Sequence, residues 1–179
     1  MTNLGNVAEV AFNERSTHLA YVVDAEGRAG NGVHVLELGT ARVMPLHTGD
    51  HLYQGLTWNE EGTGLAILRG ANPGGKLQRE NVLLTFSGIG DGAGLPSVSE
   101  YDPSQDPSFP GGFVISEFRA PSWSEDGERV FIGIKEQEEE PERADGPQAD
   151  VVVWHWKDKR TQSQQEAQAG RDRRATFLG

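Results

Sequence analysis

An all-β fold built from recurring antiparallel hairpins is predicted by three observations. First, one short pattern occurs three times without a gap: Phe12 to Tyr21, Trp58 to Ile67 and Trp123 to Ile132 each run aromatic, Asn or Ser, Glu, a turn, then an apolar strand. Second, two copies place glycine, Gly62 and Gly127, at the same point of the turn, where a tight reversal needs positive φ. Third, the copies lie 46 residues apart (12 to 58) and 65 residues apart (58 to 123). Hairpin repeats at roughly 40 to 50 residues are the signature of propeller blades, four-stranded sheets that bury their faces only against one another. The expectation is a partial β-propeller of about three four-stranded blades followed by the first strand of a fourth.

The elements follow in order over a single unit, residues 1–179. In the first blade, about 7–46, Val7 to Phe12 and Leu19 to Asp24 form the hairpin. Val33 to Leu38 alternates as a third strand and Ala41 to Leu46 supplies a fourth. The second, about 55–86, repeats this with Gly55 to Trp58, Leu65 to Arg69 and Asn81 to Phe86, and a longer loop from Gly70 to Glu80. Segment 87–118, rich in Gly, Pro, Ser and Asp, reads as a loop insertion that accounts for the longer second interval. The third blade, about 119–157, runs from Ser122-Trp123 through Val130 to Ile134. It meets the acidic run Glu136 to Glu142 and resumes at Asp150 to Trp156. Residues 158–179 are a linker, helical or extended over Thr161 to Arg174, before the apolar Ala175 to Leu178 opens the next blade.

Composition excludes several function classes. A net charge of -11 repels phosphate backbones and anionic lipids, which argues against nucleic acid and membrane surfaces as partners. No apolar run reaches the length of a membrane helix, and the opening Met1 to Asn6 lacks the regions of a secretory leader. As written, the chain is therefore expected in the cytoplasm. The absence of cysteine removes disulfides and thiolate metal sites.

The turn Trp123-Ser124-Glu125-Asp126-Gly127-Glu128-Arg129-Val130-Phe131 resembles the TolB-like propeller repeats, whose form is an aromatic, Ser, any residue, Asp-Gly and an apolar strand. The tail Asp150 to Asp158, with the Gln-rich stretch and Arg171-Asp172-Arg173 after it, resembles the propeller half of bacterial prolyl-oligopeptidase-family serine peptidases. That resemblance implies a propeller that caps an α/β-hydrolase domain and restricts which peptides reach it. The chain departs from the family pattern in having about three blades and no hydrolase domain.

The chemistry such a peptidase needs is not legible here. A nucleophilic serine on a strand-to-helix turn is marked by G-x-S-x-G, and Ser87, Ser97, Ser99, Ser116, Ser122 and Ser124 all stand in other contexts. Gly70-Ala71-Asn72-Pro73-Gly74-Gly75-Lys76 fits the spacing of a phosphate loop. However, Leu77 replaces the magnesium-holding hydroxyl and a strand follows, so a hairpin loop is the better reading. His18, His34, His47, His51 and His155 lie in different elements without the spacing of a zinc site. Asp91, Asp102 and Asp106 lack the alternation of a calcium loop. Trp154 and Trp156 share one strand face, where they pack against a neighbouring blade or contact peptide. No catalytic residue, cofactor or metal is assigned. The expected role is a non-catalytic segment that gates or positions peptide. A free-standing TolB-like interaction module is the alternative. The expected partners are missing blades and a hydrolase domain in cis or in trans, a peptide, or a second copy through self-association.

Overall fold

The computed structural model describes residues 5–27, 30–92, 94–140, 157 and 159–178. Two consecutive four-stranded meanders dominate it. The first contains β1 (Val7–Phe12), β2 (His18–Val23), β3 (Gly32–Glu37) and β4 (Arg42–Thr48), hydrogen-bonded in that order. The second repeats the order with β5 (Leu52–Trp58), β6 (Leu65–Ala71), β7 (Glu80–Ser87) and β8 (Ser97–Tyr101). Every neighbouring pair is antiparallel, as hairpin-length connections require.

The third unit is assembled differently. β10 (Ser122–Trp123) pairs with β11 (Val130–Phe131), and β12 (Gly133–Glu136) continues past β11 to pair with β9 (Phe113–Ile115). On its other edge β12 pairs with β13 (Phe177–Leu178), reached after helix α1 (Gln162–Arg173). Two expectations need correction here. Segment 87–118 is not only a loop insertion: it supplies β8, the fourth strand of the second sheet, and β9. The strand within Ala175 to Leu178 does not stand unpaired as the start of another blade, because β13 closes onto β12 at Gly133 and Ile134. The capping-box partner of α1, Gln164, folds its side chain back onto the Thr161 amide at 3.1 Å, which decides the polar tail in favour of helix.

Side-chain alternation gives each sheet two faces, and the core lies between sheets. Ala11, Ala20, Val22, Val33 and Val35 of the first sheet pack against Leu56, Trp58, Leu65, Ile67, Leu84 and Phe86 of the second. The opposite face of the second sheet, with Ala66, Leu68 and Leu83, packs against Ile115, Trp123, Val130, Ile132 and Ile134. The innermost strands β1, β5 and β10 are in contact in succession. This is a partial β-propeller, each sheet turned face-on to the next.

Candidate functional site

The three inner hairpins are built alike down to single hydrogen bonds. Phe12 pairs with Leu19, Trp58 with Leu65 and Trp123 with Val130. In each turn the amide of the fifth repeat residue donates to the carbonyl of the second: Ser16 to Asn13, Gly62 to Asn59, Gly127 to Ser124, at 2.8 to 3.0 Å. That fifth residue is left-handed in all three, with φ of 51° at Ser16, 72° at Gly62 and 69° at Gly127. Ser16 therefore holds a conformation that glycine adopts at little cost.

The second residue closes the turn with its side chain. Asn13 Oδ1 accepts from the Thr17 and His18 amides, and Asn59 Oδ1 from those of Thr63 and Gly64. The shorter Ser124 reaches only the Arg129 amide, at 3.0 Å, and Asp126 accepts from Glu128 in its place. Asn in two copies and Ser-x-Asp in the third thus do the same work. The amide and the hydroxyl-plus-carboxylate are two solutions to one set of unpaired donors.

The repeats also define a joint between sheets. Trp58 Nε1 donates to the Ala11 carbonyl at 3.0 Å, and Trp123 Nε1 donates to the Thr57 carbonyl at 3.0 Å. In both, the aromatic of one sheet reaches the residue just before the aromatic of the preceding sheet. The first joint has two further ties. Glu9 spreads its carboxylate over the Gly55 and Leu56 amides at 2.8 and 2.9 Å, where a bulge in β5 with Gly55 at φ 79° frees them. Asn13 Nδ2 donates to the Gly62 carbonyl at 3.3 Å, turn upon turn. The second joint adds Arg79, paired with Glu117 at 3.1 Å and with Gln54, whose own amide donates to the Glu117 carbonyl at 2.7 Å.

Among the described residues Phe12 has no such joint. It is 59% exposed and Val10 is 54% exposed, whereas Leu56, which stands in the second repeat where Val10 stands in the first, is 8% exposed. In antiparallel pairing, residues directly opposite share a face, so Phe12, Leu19, Leu36 and Val43 form one row and Val10, Tyr21, His34 and Pro45 another. The first row corresponds to Trp58, Leu65, Phe86 and Val98 of the second sheet, three of which are packed against the first sheet. Within the other row Tyr21 and His34 stack at 5.2 Å, and burial pushes the His34 ring below its ordinary pKa.

A cleft of about 510 Å³ lies where β7 extends past the end of β8, lined by Arg69, Glu80, Asn81, Asp102, Phe109 and Phe113 among others. Arg69 is already paired with Glu100 at 2.7 Å. His47 bonds Tyr53 Oη through Nδ1 at 2.8 Å; burial first, then the charges of Arg69 and His51, holds its pKa down against Glu100. Gly70 and Ala71 end β6 and Lys76 precedes β7, so this stretch is the β6–β7 connection. Ser87 and Ser97 bond each other across β7 and β8. Among the described residues no serine hydroxyl is bonded to a histidine, and no three His, Asp or Glu side chains converge as a metal ligand set. Trp154, Trp156 and His155 lie outside the described residues. Among those residues no helix is long and apolar enough to cross a membrane.

Sequence reasoning found the aromatics and turn glycines but missed Glu9, Arg79 and the carbonyl acceptors. The alternation Ser97-Val98-Ser99-Glu100-Tyr101 was the available sign of β8.

The sheets and their joints define the class, an all-β partial propeller. No family model and no curated protein matches the chain. Among solved structures it is similar to the β-propeller domain of the Trilobed protease from Pyrococcus furiosus, at 14% identity and a TM-score of 0.47, over 80% of this chain and 38% of that one. It is also similar to TolB from Acinetobacter baumannii, at 13% identity and a TM-score of 0.32, over 73% of this chain and 41% of that one. The chain thus spans less than half the length of either structure.

Proposed function

We propose that this chain is a non-catalytic arc of a larger propeller, and that in the completed ring it gates or positions peptide for a prolyl-oligopeptidase-like serine peptidase domain. The observation that carries the arc is the joint. It is made twice with the same donor and the same acceptor position, and then leaves an apolar face bare at Phe12. A ring segment behaves so; a self-sufficient domain covers such a face. The peptidase context is supported by the tail, Asp150 to Asp158 and Arg171 to Arg173, which resembles that family's propeller. Ser87, Ser97 and Ser124 are engaged in cross-strand and turn bonds, which suits a part that shapes access and leaves bond cleavage to another domain.

The test is to read the coding sequence on both sides of this chain and express the joined protein. The expected result is a G-x-S-x-G-bearing domain that takes a fluorophosphonate label and cleaves short peptides in preference to folded proteins. Flanks that encode further blades and no hydrolase would favour a TolB-like interaction module and defeat the peptidase reading.

A further inference from the structure

The joint has two unlike halves, and the unlike half predicts what seats on the bare face. Its donor half is the aromatic of the later sheet. Its receiving half is a pair of directly opposed small residues on the earlier sheet: Ala11 opposite Ala20 beneath Trp58, and Thr57 opposite Ala66 beneath Trp123. Each receiving pair is small, and the carbonyl of its first member accepts a hydrogen bond from the indole.

On the third sheet the same two positions are Ser122 and Phe131, directly opposed on the face turned away from the second sheet. The phenyl ring of Phe131, 39% exposed, occupies the place of Ala20 and Ala66. The third sheet therefore cannot receive an aromatic as the first two do, since a ring already stands there. A second copy of this chain is thereby excluded as the natural neighbour of Phe12 in a ring closed end to end.

We infer that the Val10–Phe12 face docks on a separate four-stranded antiparallel blade, from outside these 179 residues, whose inner hairpin carries two opposed small residues at the positions of Ala11 and Ala20; Phe12 has no N–H to donate, so this joint is made by apolar packing alone. This deepens the proposed reading and rests on its claim that the chain is one arc of a larger ring. The occupant follows from continuity with the two joints already present, because the bare row Phe12, Leu19, Leu36 and Val43 corresponds strand for strand to the row that the second sheet lays on the first. Its two surfaces are different and complementary, so association runs head to tail.

The test uses the chain itself. Phe131→Ala converts the third sheet into a receiving half by removing the ring that stands in the place of Ala20 and Ala66. Light scattering during size exclusion, over a concentration series, is run on wild type, F131A, F131S and F131A combined with Phe12→Asp, with circular dichroism confirming that each is folded. The expected result is one-chain mass for wild type, at least a doubling for folded F131A or F131S, and return to one-chain mass when Phe12→Asp is added. Folded F131A and F131S that both stay at one-chain mass would overturn the inference. So would association that survives Phe12→Asp, or wild-type association that Phe12→Asp abolishes. None of these outcomes touches the peptidase reading, which stands or falls on the flanking domain.

Discussion

Replacing Trp58 by Phe removes one atom group with a defined task. The ring keeps its place between the first two sheets, but the Nε1–H that donates to the Ala11 carbonyl at 3.0 Å is gone, and the joint loses that bond. A typical intramolecular hydrogen bond contributes about 1 kcal/mol net, and the partly buried acceptor left behind keeps the loss near that value. For a chain of this size the midpoint of thermal unfolding should fall by about 2–4 °C. Truncation to Ala adds the ring's packing. Full burial would cost about 3–5 kcal/mol, and since Trp58 and Trp123 are each half-buried, a loss of about 2–3 kcal/mol is expected at either. Phe12 holds the same repeat position on the bare face, so Phe12→Ala should stay within about 0.5 kcal/mol. Urea titrations of W58F, W58A, W123F, W123A and F12A on one preparation give the series. Equal losses for F12A and W58A, or no loss for both Trp-to-Phe variants, would refute the joint as the source of stability.

Ser16→Gly should stabilise the chain by about 0.5–1 kcal/mol by relieving a left-handed serine, whereas Gly62→Ala should destabilise it by at least about 1 kcal/mol, because the new Cβ meets Asn13 Nδ2 at 3.0 Å; thermal melts of both decide the sign. Stability should also fall with acid. His34 and His47 have folded pKa values held below the ordinary 6.5, so the unfolded chain binds more protons as pH drops, and stability present above pH 6.5 is lost as pH falls toward the folded values. Urea midpoints at pH 7.5 and 5.5 measure this, and His34→Phe, which keeps a ring against Tyr21, should flatten the difference. The isolated chain should take no fluorophosphonate label; stoichiometric labelling of one serine would contradict the assignment of catalysis to another domain.

The inner hairpins were legible because their requirements are local. A left-handed turn residue and a side chain that closes the turn sit within seven positions of each aromatic, and alternation flags the strand that follows. β9 carried no sign in the sequence, and the sign of β8 was weak. Their residues are polar or few, and β8 is held by the edge of β7 more than by its own apolar content, since Val98 remains largely exposed. The placement of β13 on β12 joins positions more than forty residues apart through a pairing that no periodicity records. Glu9 reads as one more surface acid in a strongly acidic chain. Only the bulge in β5 reveals two amides waiting for it.

That both indole donors end on main-chain oxygen has a consequence for how such a protein can change. Peptide carbonyls are present whatever residue occupies the position, so the receiving side of a joint places no demand on residue identity beyond modest size, as Ala11 and Thr57 illustrate. Blades can then be duplicated, reordered or exchanged between lineages while only the donor and the small opposed pair are kept. Similarity between modules decays to a single turn motif long before their ability to stack is lost.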